Sequence, residues 1–215
     1  MKLTRLLAIL ILSIFLIGLN SQDVISHSGF VMSESAKPEK DVGEPLDISA
    51  QTAVVIELNT GKVLYSKNAH QKVYPASTTK ILTALIALEE CNLDDIVKIT
   101  GKASGVEGSS IYLEVGEKIS YRDLLYGLML RSGNDAAIAI SEAISGSTEK
   151  FAEKMNQRAK EIGALNSNFA NPSGLFNENH YTTAYDMALI AREAMKNPEF
   201  RQIASAKSHV ANRGE

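Results

Sequence analysis

The stretch Ile81-Leu82-Thr83-Ala84-Leu85-Ile86-Ala87-Leu88 holds no charge, no glycine and no proline. It follows Thr78-Thr79-Lys80 and is closed by Glu89-Glu90, so it reads as one helix that is apolar on most of its sides. Such a helix has no face to give to water and must be packed around. A chain that contains it is committed to a cluster of elements with this helix inside. The rest of the composition permits that core: 45% of residues are hydrophobic and 22% charged, the balance of an ordinary globular protein. The 215 residues suffice for one domain or slightly more.

The surrounding sequence supplies partners. Ala53-Val54-Val55-Ile56-Glu57-Leu58, the turn Asn59-Thr60-Gly61 and Lys62-Val63-Leu64-Tyr65-Ser66 read as a β-hairpin. Residues 97–100 read as a short strand, and 101–116 as a loop-rich stretch. Ser120 followed by Asp123 is a helix start, and that helix breaks at Ser132-Gly133-Asn134. Further helices are expected over 135–144, over 148–162 with Gly163 closing it, and over 182–196, ending before Pro198. Asn171-Pro172-Ser173-Gly174 reads as a turn.

The amino terminus is of another kind. Lys2 and Arg5 precede 14 uncharged residues, 6–19, the pattern of a secretory signal peptide. A membrane-spanning helix needs about 20 apolar residues. The expected organisation is therefore a signal peptide over 1–20, a polar flexible linker over 21–48, and a folded domain over 49–215. Removing 1–20 leaves 20 basic against 25 acidic residues, a formal charge of -5. With no basic run, nucleic acid is not an expected partner. Cys91 stands alone and reads as a packing residue at a helix end; His27, His70, His180 and His209 are too dispersed for a metal site and read as surface or turn residues.

Chemistry gathers at two places. Ser77 and Lys80 are three residues apart at a helix start, so an amine can sit beside a hydroxyl. Serine needs a base within hydrogen-bond reach, and a lysine in apolar surroundings can be neutral enough to serve. Helix-start N–H groups favour a developing oxyanion. The alternative for this pair alone is a capping serine and an exposed lysine. Ser132-Gly133-Asn134 offers a hydroxyl that could relay a proton and an amide that can donate and accept. It also reads as a plain capping turn between two helices.

Together these pieces resemble a known family. Tyr74-Pro75-Ala76-Ser77-Thr78-Thr79-Lys80 is similar to the first motif of the low-molecular-weight penicillin-binding proteins, the serine-type D-alanyl-D-alanine carboxypeptidases (peptidase family S11). Leu130-Arg131-Ser132-Gly133-Asn134-Asp135-Ala136 is similar to their second motif. Asn171-Pro172-Ser173-Gly174-Leu175 and His180-Tyr181-Thr182-Thr183-Ala184 resemble a following stretch, so the likeness runs over about 50–201. The resemblance implies an α+β fold of the β-lactamase/D,D-peptidase kind, a helical cluster packed on an antiparallel sheet. It implies Ser77 as acylated nucleophile, Lys80 as general base, Ser132 as proton relay and Asn134 as substrate-binding residue. The implied substrates are peptidoglycan muropeptides, with β-lactam antibiotics as inhibitors and no metal or organic cofactor. The implied location is secreted, at the cell wall or membrane periphery.

The third motif of this superfamily, Lys-Thr-Gly, is not found in the 215 residues; Lys207-Ser208-His209 does not match it. The chain therefore reads as truncated, with C-terminal strands missing and membrane association left to the signal segment or to a missing C-terminal region. It is expected to be inactive or nearly so, and robust D-alanine release would refute that. Two other functions are compatible with parts of the sequence. A class A β-lactamase has Ser-Asp-Asn at the second motif and needs a glutamate for deacylation, for which only Glu178 is near the turn. A non-catalytic penicillin- or peptidoglycan-binding protein would retain binding without acylation of Ser77.

Overall fold

The computed structural model describes residues 47–214. The expected signal peptide and nearly all of the expected linker lie outside the described residues.

The predicted hairpin forms, as β1 (Ala53–Ile56) and β2 (Val63–Lys67), antiparallel with Val54 opposite Ser66 and a register shift at Val55/Ile56. Its connection is longer than the three turn residues read from sequence. The Glu57 carboxylate organises it by accepting from the amides of Asn59 and Thr60 and from the Thr60 hydroxyl. These donors hold its pKa down at about 2.

A 3₁₀ turn over Ala76–Thr79 then runs into α1 (Lys80–Glu90). β3 (Ile96–Lys98) pairs antiparallel with β4 (Lys118–Ser120), a short strand absent from the sequence reading. Helices α2 (Tyr121–Arg131), α3 (Asn134–Ser145), α4 (Thr148–Ile162), α5 (Ala184–Ala194) and α6 (Pro198–Ser205) follow. The caps explain most boundaries. Ser120 accepts from the Asp123 amide, Ser147 from that of Lys150 and Thr183 from that of Asp186. Helix α6 departs from the expectation that Pro198 only ends a helix: with Asn197 as cap, Pro198 opens a new one.

α1 is the hub. It packs against each of α2 to α6, and Leu82, Leu85 and Ile86 are buried completely or nearly so. Burial of each such side chain contributes about 1.5–3 kcal/mol. The α+β expectation holds. The sheet component, however, is two separate two-stranded ribbons among the described residues, with β1 lying against α5. Cys91 caps the C-terminal end of α1, half-buried, as expected. None of the described helices is long and apolar enough to cross a membrane.

Candidate active site

The site is built where α1 begins. Pro75 starts the 3₁₀ turn, and the Thr78 hydroxyl donates back to its carbonyl at 2.6 Å. The sequence reading placed Ser77 and Lys80 on one helix; in the structure Ser77 lies in the 3₁₀ turn and Lys80 is the first residue of α1. In a 3₁₀ turn residues i and i+3 eclipse. Lys80 Nζ accordingly donates to Ser77 Oγ at 3.2 Å, with Ser77 exposed and Lys80 buried.

The ammonium has two further acceptors. It donates to Asn134 Oδ1 at 2.7 Å and to the Ser173 carbonyl at 2.6 Å. All three of its N–H bonds are thereby used. Burial pushes the Lys80 pKa down to about 8, and the negative charge of Asp135 limits the fall.

Asn134 opens α3 and is locked from the other side. Its Nδ2 donates to the Glu107 carbonyl at 2.7 Å and its backbone N–H to that of Ser109 at 2.7 Å. A carboxamide has two N–H bonds and two lone pairs, so one of each is left for a further partner. Asp135 fastens the same loop: Ser110 Oγ donates to it at 2.6 Å, and the amides of Ile111 and Leu113 donate at 3.1 Å. Ser132 is half-buried at the C-terminal cap of α2, in the left-handed region at φ 55°. Ser77, Lys80 and Asn134 are thus joined directly, while Ser132 sits in the adjoining loop outside the three bonds of Lys80.

Several site residues were missed or misread. The Ser173 carbonyl is a backbone group, for which a sequence gives no signal beyond the turn around it. Gly174, at φ 85°, lies so close that a Cβ there would come within 1.8 Å of the Ala76 carbonyl oxygen. His180 was read as a surface or turn residue; it is buried, and its Nε2 lies 2.9 Å from Thr79 Oγ1. Burial there lowers its pKa to about 4. His209 is likewise no free surface residue, since its ring stacks on Tyr126 at 3.8 Å between centroids. His70 tilts against the Tyr185 ring at 4.7 Å, and His27 lies outside the described residues.

Comparison with known proteins agrees with this arrangement. Residues 37–213 match the model of the peptidase S11 family, D-alanyl-D-alanine carboxypeptidase. The chain belongs to the peptidase S11 family. It is 44% identical over 172 residues to the D-alanyl-D-alanine carboxypeptidase DacF of Bacillus subtilis, covering 78% of this chain and 44% of that protein. Among solved structures it is similar to the D-alanyl-D-alanine carboxypeptidase DacD from Francisella tularensis, with 37% identity, a TM-score of 0.73, and coverage of 87% of this chain and 43% of that one. It is also similar to penicillin binding protein 6B from Escherichia coli, with 31% identity, a TM-score of 0.74, and coverage of 80% and 59%. The S11 chain spans about half the length of the curated relatives it matches. Its fold is that of these peptidases, as the motifs implied.

Proposed function

We propose that the site performs the acyl transfer of a serine-type D-alanyl-D-alanine carboxypeptidase on peptidoglycan stem peptides. The observation that carries this reading is the buried Lys80 amine, held 3.2 Å from Ser77 Oγ with a pKa of about 8. Near neutral pH a useful fraction of that amine is unprotonated and can take the Ser77 proton. Ser77 Oγ then bonds to the carbonyl carbon between the two terminal D-alanines. The N-terminal turn of α1 favours the oxyanion. As the peptide bond breaks, the proton passes from Lys80 through Ser132 to the leaving D-alanine amine. Asn134 keeps Lys80 in place and offers its remaining N–H to the substrate. Water then hydrolyses the ester. A β-lactam, which mimics the dipeptide, would stop at the acyl-enzyme. Such a reaction belongs outside the cytoplasmic membrane, where the substrate is, in keeping with a signal segment over 1–20.

Glu178 is exposed in the turn before His180, and the group that meets Lys80 there is the Ser173 carbonyl, which is no base. The β-lactamase reading therefore draws no support from the site. The test is intact-mass analysis of the purified chain after exposure to a fluorescent penicillin. A single adduct that disappears in Ser77→Ala supports the assignment. Labelling that survives Ser77→Ala would sink it.

A further inference from the structure

The turn that carries Ser77 does not hold its shape unaided. Ala76, directly before the nucleophile, sits at φ 46°, a left-handed conformation unusual for alanine. Such a residue persists only where its surroundings over-determine it. The surroundings here come from one segment, residues 172–182. Val73 and Thr182 exchange backbone hydrogen bonds of 2.8 and 2.9 Å. Thr83 Oγ1 donates to the Pro172 carbonyl at 2.7 Å, and Gly174 is seated against the Ala76 carbonyl. The link to the end of the turn is the contact between Thr79 and His180.

The direction of that contact follows from geometry. His180 Nδ1 lies 3.3 Å from the Ala170 backbone nitrogen, which can only donate. Nδ1 must present a lone pair, so the proton of the neutral ring is on Nε2. Nε2–H therefore donates to Thr79 Oγ1. The Phe169 ring packs against the His180 ring in a T-shaped contact, with centroids 5.6 Å apart at 85°.

We propose that His180 is a positioning residue for Ser77: its Nε2–H, bonded to Thr79 Oγ1, braces the strained turn so that Ser77 Oγ stays in reach of Lys80. The proposal rests on the acyl-transfer reading of Ser77. The Ser77–Lys80 contact, at 3.2 Å, is already at the long end for a hydrogen bond, so a small drift of the turn breaks it. Loss of the brace slows acylation more than it weakens binding.

Three variants test this: His180→Leu, which fills the space without a donor; Thr79→Val, which keeps the shape without an acceptor; and His180→Gln, whose amide can donate from near the Nε2 position. Acylation by a fluorescent penicillin is followed at saturating and limiting concentrations, with thermal unfolding showing that each variant is folded. His180→Leu and Thr79→Val should each lower the saturating rate by about tenfold to a hundredfold, with half-saturation shifted by less than about threefold. The double variant should be no worse than either single one, and His180→Gln should recover most of the rate. Multiplying losses, or an unchanged rate in His180→Leu, would overturn the proposal. Imidazole ¹⁵N spectra provide an arm independent of activity. They should show an Nε2–H tautomer whose proton signal moves in Thr79→Val, and an Nδ1–H tautomer would overturn the brace. Should the wild-type chain take no label, the acyl-transfer reading fails, while the spectra still decide whether the brace exists.

Discussion

Lys80 and His180 are both buried bases whose pKa values are lowered by desolvation, but they serve the turn differently. Lys80 is useful when it loses its proton. The acylation rate should rise about tenfold per pH unit below a midpoint near 8 and level off above it. Lys80→Arg, which cannot deprotonate, should lose rate by about a thousandfold. A flat pH profile of labelling would contradict the assignment of Lys80 as base. His180 matters to stability. Its folded pKa of about 4 lies below the ordinary 6.5, so the unfolded chain binds the extra proton first. Its share of stability is fully present above about pH 6.5 and is lost as pH falls through about 4, amounting to about 3 kcal/mol. Urea titrations of wild type and His180→Gln across that window should show a shallower pH dependence in the variant.

At the scale of elements, the junction of the 3₁₀ turn with α1 governs the site, and the Asn171–Gly174 turn is its mould. Gly174→Ala would place a methyl group on the Ala76 carbonyl at an unfavourable φ. The backbone on both sides would have to shift, so the variant should lose about 3 kcal/mol or more, read as a lower urea midpoint. An unchanged midpoint would mean that the two turns are not in contact. The elements themselves were largely legible in the sequence. The 148–162 helix with its Gly163 stop and the Ser120 cap stand where periodicity and cap residues put them. The reading failed where one residue carries two meanings. Pro198 both ends one helix and begins the next, and only the Asn197 cap favours the beginning. It failed again at β4, whose three residues are too few to show a period.

At the scale of the molecule, α1 packs against every other described helix, and Ser77 lies in the 3₁₀ turn that leads directly into it. Ser77, Lys80, Ser132 and Asn134, the groups proposed for acylation, are present, but no Lys-Thr-Gly occurs among the 215 residues. Substrate turnover asks more of a site than trapping by a strained lactam. The 215-residue chain should therefore release D-alanine from a muropeptide pentapeptide at or near background, as measured by a coupled D-amino-acid oxidase assay. Robust release would show that another group fills the role of that motif.

Sequence alone marked Ser77 and Lys80 as a candidate pair, the second motif and the apolar helix that had to be central, because each is a local pattern: a spacing of three, a break between helices, a run without charge. Tertiary structure alone decided what surrounds the pair. The Ser173 carbonyl, the seat of Gly174 and the buried bond from His180 to Thr79 join positions about a hundred residues apart. Two of these contacts use backbone atoms, which are the same in every residue. The third depends on burial, which no isolated histidine declares. Ser77 was therefore legible as a candidate nucleophile from its neighbours in sequence, and its geometry became visible only with the segment folded against it.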